Sequence, residues 1–188
     1  MKCIGTRTAF SLCCLSFILC SCSTYNSNLS QQYSSNYLSS PPPPPDFSMR
    51  IPQHIHTAEQ TVVVDPRVHT WGAYGADGEL VRAGQASAGS DWCRDLGHPC
   101  HTHVGSFRVF SLGSPDCKSH IFPIPRGGAP MPYCMYFNNG QALHGVPDSE
   151  VGEGNYSHGC VRMHVSDAEW LRYNFVDVGT KVIVRPYD

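Results

Sequence analysis

Five consecutive prolines at residues 41–45 divide this 188-residue chain and limit where a folded core can form. Residues 23–40, just before them, are mostly Ser, Asn, Gln and Tyr and carry no charged side chain. Such a segment buries too little apolar surface to order itself, and the prolines stiffen its end. We therefore predict a flexible tether over residues 23–60 and a single folded domain over residues 61–188.

The first 22 residues are typical of an export signal. A basic start precedes an apolar run over residues 9–20 that is too short to span a bilayer. The run ends in Leu19-Cys20-Ser21-Cys22, which resembles the lipobox of bacterial lipoproteins. Cys22 is thus the predicted lipidation site and membrane anchor, and a plain signal peptide is the alternative. We expect an exported protein on the periplasmic side of a membrane, and Ser23 favours the outer one.

Most of residues 61–188 have strand patterns, and two hairpins stand out. Asp77-Gly78 and Asn139-Gly140 each lie between short apolar segments, and Gly accepts the positive φ that tight turns require. The predicted hairpin strands cover residues 70–74 with 79–82, and residues 134–137 with 141–144. The second hairpin would place His144 at the end of a strand.

One segment has a helical pattern. Ser166 and Glu169 fit a capping box, in which each side chain bonds the free amide of the other residue, and Trp170 and Leu171 follow. Residues 180–185 form a closing strand. Because strands and helices do not alternate, we predict a mainly β fold, an antiparallel sandwich or open barrel with one or two short helices.

Charge and cysteine content narrow the possible functions. With 13 basic and 15 acidic residues, and no basic cluster in the folded part, nucleic acid is not an expected partner. An exported protein matures in an oxidising compartment, where thiols tend to pair. An odd number of cysteines follows Cys22, so one of them has no intramolecular partner. These cysteines are Cys93, Cys100, Cys117, Cys134 and Cys160.

Cys160 lies in the sequence Ser-His-Gly-Cys-Val-Arg and has two histidines as candidate bases. A free thiol has a pKa of about 8.5, so a nucleophilic cysteine needs a base or a positive field beside it. His158 is only two residues upstream, and in a tight turn its ring need not face the sulfur. His144 can approach from a different strand, which favours it as the base.

These residues carry a resemblance to a known family. "ALHG" at residues 142–145 followed by "YSHGCVRM" at residues 156–163 resembles the signature of the L,D-transpeptidase catalytic domain, the YkuD-type family of cell-wall cross-linking enzymes. The similarity extends over about residues 60–188, through "HTHVGSF" and "SDAEWL" to "VGTKVIV". We therefore expect this chain to have the fold of that family and its cysteine chemistry.

The resemblance implies a role for each residue of the motifs. Cys160 is the nucleophile, His144 its base, and the main-chain carbonyl of Gly145 orients the imidazole. The turn before the nucleophile is shaped by Ser157, His158 and Gly159, and amides around Gly159 and Cys160 face the developing oxyanion. The substrate-binding candidates are Arg162, whose fork suits a carboxylate, and Tyr136.

The implied substrate is the peptide stem of peptidoglycan. The thiol attacks the carbonyl of the third residue, releases the fourth, and leaves a thioester that an amine resolves. A neighbouring stem as acceptor gives a 3→3 cross-link, a protein or D-amino acid gives an attachment, and water gives carboxypeptidase activity. A hydrolase of the same fold and a non-catalytic wall-binding lipoprotein are the alternatives. Carbapenems are expected to acylate the thiol.

With Cys160 as nucleophile, four cysteines remain, and they can pair in three ways. We favour Cys93 with Cys100, around a short loop, and Cys117 with Cys134, around a Pro/Gly-rich lid, although spacing alone does not exclude the others.

The chain departs from the usual family pattern at Thr102-His103, where relatives have Thr-Pro. His98, His101 and His103 cluster there with Cys100, but their spacing is not that of paired metal ligands, and we predict a polar loop. Neither a metal nor a cofactor is expected.

Overall fold

The computed structural model describes residues 45–188. The predicted export signal, Cys22 and most of the predicted tether lie outside the described residues. Within that part of the chain, no helix combines the length and the apolar character needed to cross a bilayer.

Nine strands and one α-helix make up the described fold. The helix, α1, is Val165–Asn174, and a 3-10 turn, Phe47–Arg50, precedes the first strand. The strands are β1 (Thr61–Asp65), β2 (Thr70–Tyr74), β3 (Leu80–Gln85), β4 (Gly105–Arg108), β5 (Ser111–Leu112), β6 (Met135–Asn138), β7 (Gln141–Val146), β8 (Val161–His164) and β9 (Lys181–Val184).

The strands form two sheets, one in the order β3-β2-β1-β9-β4 and one in the order β5-β6-β7-β8. Both predicted hairpins are confirmed as the antiparallel pairs β2–β3 and β6–β7, with positive φ at Gly78 and Gly140. The expectation of antiparallel sheets is wrong in part, because β1 pairs with β9 and β7 with β8 in parallel. Two parallel strands need a long crossover connection between them. The connections in this chain have no regular helical pattern from which parallel pairing could be predicted.

The main core lies between the two sheets and α1. Val62 and Val64 of β1 contribute from the first sheet, Leu143 and Met163 from the second, and Leu171 from the helix, all fully buried. Alternate residues of a strand face opposite sides, so Val63 points away from this core. The fold is therefore mainly β, with two mixed sheets and no closed barrel.

Residues 46–60, which the predicted tether includes, belong to the folded unit. Ile51 is 6% exposed and packs with Val63 and Tyr74 on the outer face of the first sheet. The Tyr74 hydroxyl donates to the carbonyl of Pro52 at 2.7 Å. β1 is thus buried on both faces. The segment that covers its outer face has no strand periodicity, and for this reason the sequence pattern predicts a domain that begins only at residue 61.

The capping box predicted for the helix is not formed. α1 begins directly after β8, its N-cap residue His164 makes no side-chain cap hydrogen bond, and Ser166 lies inside the first turn. Glu169 instead accepts a hydrogen bond from the Tyr133 hydroxyl at 2.9 Å. The end of β8 therefore sets the start of the helix, a tertiary constraint that overrides the local signal.

The covering segment predicts a measurable stability difference. Ile51→Ala should lower the free energy of unfolding by about 2–4 kcal/mol, because it opens a cavity against Val63 and Tyr74. Met49→Ala, two residues away at a side chain that is 80% exposed, should change it by less than about 0.5 kcal/mol. Urea denaturation of the two variants and the wild type measures both values, and equal stability of all three would remove residues 46–60 from the folded unit.

Candidate active site

The residues singled out in the sequence line one cavity of about 480 Å³. One wall is the second sheet, and the other is residues 118–133, which we call the lid. The predicted site side chains that line the cavity are Tyr136, His144, Ser157, His158, Cys160 and Arg162. The lid contributes an apolar surface that includes Phe122 and Met131. The fold therefore brings together residues from β6, β7, β8 and the turn before β8.

His144 lies within β7, which continues to Val146, and not at the strand end that the hairpin pattern predicted. Its ring is buried, and Nδ1 is 2.9 Å from the carbonyl oxygen of Gly145. A carbonyl only accepts, so Nδ1 carries the proton and Nε2 keeps its lone pair in the neutral ring. Burial lowers the pKa of His144 to about 4, and the positive charge of Arg162 acts in the same direction. At neutral pH the imidazole is an uncharged base.

Gly145 ties His144 to the lid. Its N–H donates to the carbonyl of Pro132 at 2.9 Å, while its own carbonyl accepts from the imidazole. A Cβ at this position would lie 2.9 Å from the backbone of Val165 at the start of α1. Only glycine allows the strand, the helix and the lid to approach this closely.

The turn before Cys160 is held by side-chain hydrogen bonds. The buried Ser157 hydroxyl accepts the Gly159 N–H at 3.0 Å and donates to the carbonyl of Cys160. Gly159 has φ of 121°, a region that residues with a side chain rarely adopt. Because the Gly159 amide is already engaged, it is not a free oxyanion donor, contrary to the sequence expectation. The Cys160 N–H has no acceptor within the described residues and remains available.

Cys160 is the free cysteine of the described residues, and it is half-buried. Its Sγ lies 3.7 Å from the carbonyl oxygen of Gly140. Burial raises the pKa of the thiol above its ordinary value, and the Ala142 N–H and the Arg162 charge only partly oppose this. The resting cavity is therefore lined by both a protonated thiol and a neutral imidazole.

Thr102 is a site residue that sequence reasoning missed. Its buried hydroxyl donates to the carbonyl of Gly159 at 2.8 Å and accepts the Gly89 N–H at 3.0 Å. The segment 87–103 thus wraps the turn, and Ser90 also donates its N–H to the carbonyl of Ser157 at 2.9 Å. The sequence shows only a threonine between His101 and His103. Its hydrogen-bond partners are distant in the sequence, so no local pattern predicts its role.

The four paired cysteines form the two disulfides that the sequence analysis favours. Disulfides join Cys93 to Cys100 and Cys117 to Cys134. The first closes a loop beside the turn before Cys160, and the second closes the base of the lid. Both walls next to Cys160 are therefore covalently tied, while Cys160 itself keeps its thiol.

The three histidines of the polar loop have separate partners. His98 contacts the carbonyl of Pro99, His101 bonds Asp91 at 2.6 Å, and His103 lines the cavity. A different group, Cys93, Asp95 and His158, has its donor atoms within 4.8 Å of one another. The sulfur of Cys93 is committed to a disulfide, which leaves two ligands, fewer than a stable zinc site uses.

The substrate-binding candidates flank the thiol. Arg162 exchanges both backbone hydrogen bonds with Ser87 at 2.9 Å, and its guanidinium is 4.0 Å from the carboxylate of Glu150. The separation leaves the guanidinium donors available to a ligand. Burial and the nearby Cys160 raise the pKa of Tyr136, so its hydroxyl is a proton donor at neutral pH.

The buried His144 predicts how stability depends on pH. Its pKa is about 4 in the folded protein against about 6.5 unfolded, so the unfolded chain binds the proton first as pH falls. Full stability above about pH 6.5 should decline by about 2–3 kcal/mol by pH 4.5 through this residue alone.

Urea denaturation at pH 7 and pH 4.5 separates the His144 contribution from the rest. His144→Gln should lose less stability between these pH values than the wild type, whereas His56→Gln, at an exposed residue, should match the wild type. An identical loss in all three proteins would show that His144 is not buried in its neutral form.

Residues 59–184 match the L,D-transpeptidase catalytic domain family. A comparison with curated proteins found no match. Among solved structures, the chain is similar to an L,D-transpeptidase of Xylanimonas cellulosilytica, with 25% identity, TM-score 0.59, and coverage of 71% of this chain and 64% of that one.

Two mycobacterial structures are similar at the same level. An L,D-transpeptidase of Mycobacterium smegmatis has 27% identity and TM-score 0.55, with coverage of 69% and 59%. L,D-transpeptidase 3 of Mycobacterium tuberculosis, in complex with a faropenem-derived adduct, has 27% identity and TM-score 0.54, with coverage of 68% and 60%. The chain thus spans less than two thirds of the length of each of these relatives.

Proposed function

The chain belongs to the L,D-transpeptidase catalytic domain family, and we propose that it is an L,D-transpeptidase that uses Cys160 as nucleophile and His144 as base. The observation that carries the proposal is the pairing of a free thiol with a buried neutral imidazole on the wall of one cavity. Parallel β7 and β8 support this arrangement, with His144 opposite Arg162 and Cys160 one residue before β8.

The protonation states lead to a definite order of steps. Neutral His144 takes the thiol proton at Nε2 as Sγ attacks the third-residue carbonyl of a tetrapeptide stem. The Cys160 N–H, which has no other acceptor within residues 45–188, stabilises the developing oxyanion. The imidazolium returns the proton to the departing amine of the fourth residue, and a thioester remains.

An acceptor amine then completes the transfer. The amine attacks the thioester carbonyl, His144 accepts the proton that the amine loses, and the same proton returns to the sulfur as it leaves. The net reaction exchanges one amide for another and consumes no cofactor. An acceptor from a second stem gives a 3→3 cross-link.

The burial of the thiol supports catalysis that depends on a bound substrate. A pKa raised by desolvation leaves little thiolate at rest, which protects Cys160 from small oxidants. Transfer to His144 becomes favourable only as charge appears on the substrate oxygen. This arrangement suits an enzyme that works in an oxidising compartment.

We also propose that the protein is exported and lipid-anchored at Cys22, on the periplasmic side of a membrane. Support comes from the apolar run and the Leu-Cys-Ser-Cys sequence alone. The two intramolecular disulfides of the folded unit fit such a compartment. β-Lactam acylation, and carbapenem acylation in particular, is proposed from the family resemblance. The faropenem-derived adduct on the relative that is 27% identical supports acylation by a β-lactam.

The proposal is tested by the products of the purified, oxidised protein with a tetrapeptide stem. Mass spectrometry should detect a thioester intermediate at Cys160 and a cross-linked dimer of the stem. Cys160→Ser should form neither, because a serine hydroxyl is a weaker nucleophile than a thiol and has a far higher pKa, so a base positioned for the thiol activates it poorly. A tripeptide as sole product would make the enzyme a carboxypeptidase, and an unchanged stem would indicate a non-catalytic wall-binding protein.

Arg162 provides a second prediction for the proposed substrate. If its guanidinium binds a stem carboxylate through two donors, Arg162→Lys should raise the tetrapeptide KM by roughly 10-fold or more, the worth of one charge-assisted hydrogen bond. Alkylation of Cys160 by neutral iodoacetamide should change little. Glu150→Gln, which removes the nearby carboxylate, serves as the matched control and should not raise KM. Unchanged KM in Arg162→Lys would reject carboxylate binding.

A further inference from the structure

A carboxylate outside the cavity holds one of the residues that line it. Asp95 lies in the loop closed by Cys93 and Cys100. Its two carboxylate oxygens are 2.8 and 2.9 Å from Nε2 of His158. An ionised carboxylate only accepts, so Nε2 donates, and the edge of the ring is fixed in orientation.

The face of the same ring packs against the lid. The centroids of His158 and Phe122 are 4.3 Å apart, and their planes are inclined by 30°. Phe122 lies near the tip of the lid and lines the cavity. His158 is therefore a connector that is held at its edge by Asp95 and contacts the lid with its face.

The rest of the lid is attached near its base. The disulfide Cys117–Cys134 closes it, the Met131 N–H donates to the carbonyl of Cys117, and Pro132 accepts from Gly145. The described hydrogen bonds of Ser119 and Phe122 go to other lid residues. Among the described contacts, this aromatic contact with His158 links the tip of the lid to the turn before Cys160.

We propose that Asp95 is a positioning residue that holds the lid tip over Cys160 through His158, and so governs capture of an extended peptide more than the reactivity of the thiol. Asp95 does not line the cavity, so its effect on substrate passes through the imidazole. The inference deepens the proposed function by adding a residue to the same site.

The chain contains a matched control pair. Asp91 bonds Nε2 of His101 at 2.6 Å, in the same wrapping segment, and His101 stacks on Tyr187 at 3.9 Å. This pair repeats the chemistry of a carboxylate, an imidazole and an aromatic ring. Neither Asp91 nor His101 lines the cavity or contacts the lid in the described structure.

Steady-state kinetics with the tetrapeptide stem tests the role. Asp95→Ala should raise KM about fivefold, the scale of one intramolecular hydrogen bond, while kcat and iodoacetamide alkylation of Cys160 stay within about twofold. Asp95→Glu should recover most of the wild-type KM, because it keeps the acceptor. Asp91→Ala should match the wild type. A fall in kcat with unchanged KM, or an equal effect of Asp91→Ala, would overturn the proposal.

Hydrogen exchange measured by mass spectrometry gives a readout that needs no turnover. Peptides from residues 118–126 should exchange faster in Asp95→Ala than in the wild type and in Asp91→Ala, with melting temperatures alike in all three. Equal lid exchange would reject the proposal even if activity differed. If the wild type fails to process the stem, the proposed function fails, while lid exchange still decides the role of Asp95.

Discussion

The parallel pairing of β7 with β8 is the interaction on which the site depends. It sets His144 opposite Arg162 and leaves Cys160 immediately before β8, so all three residues line one cavity although sixteen residues separate His144 from Cys160. β8 is also bonded on its other edge, where Ser87 and Arg162 exchange both backbone hydrogen bonds. A strand fixed on both edges cannot slip by one residue, a shift that would turn every side chain to the opposite face.

The turn that enters β8 has a conformation that only its surroundings stabilise. Gly159 adopts a positive φ, and the hydroxyls of Ser157 and Thr102 satisfy its N–H and its carbonyl. Polar groups buried this deeply must be bonded, and both hydroxyls are almost fully enclosed. The outcome is a rigid loop in which the Cys160 amide, but not the Gly159 amide, is left for a substrate. The proposed oxyanion site therefore has the Cys160 N–H, and not the Gly159 N–H, as its backbone donor from this turn.

Two covalently closed segments stand on either side of the thiol. The loop of Cys93–Cys100 supports the turn, and the lid above Cys117–Cys134 covers the cavity. Between them, burial keeps the imidazole neutral and the thiol protonated, since a charge on either would be poorly solvated. The link from Asp95 through His158 to Phe122 joins the two segments across the site.

The sequence by itself determined the features that local rules govern. The Gly78 and Gly140 hairpins, the mainly β class and the residue types of the site follow from turn chemistry, strand patterns and the two motifs.

Tertiary structure decided the rest. The parallel pairing of strands depends on crossover connections that have no local sequence signal. The partners of Thr102 lie far from it in the sequence. Ile51 covers a face of the first sheet, and no sequence pattern predicts this contact. The capping box at Ser166 was overridden because β8 had already fixed the backbone there. Local propensity is worth about 1 kcal/mol or less per residue, whereas the burial and pairing of whole strands are worth many times that, so packing prevails wherever the two disagree.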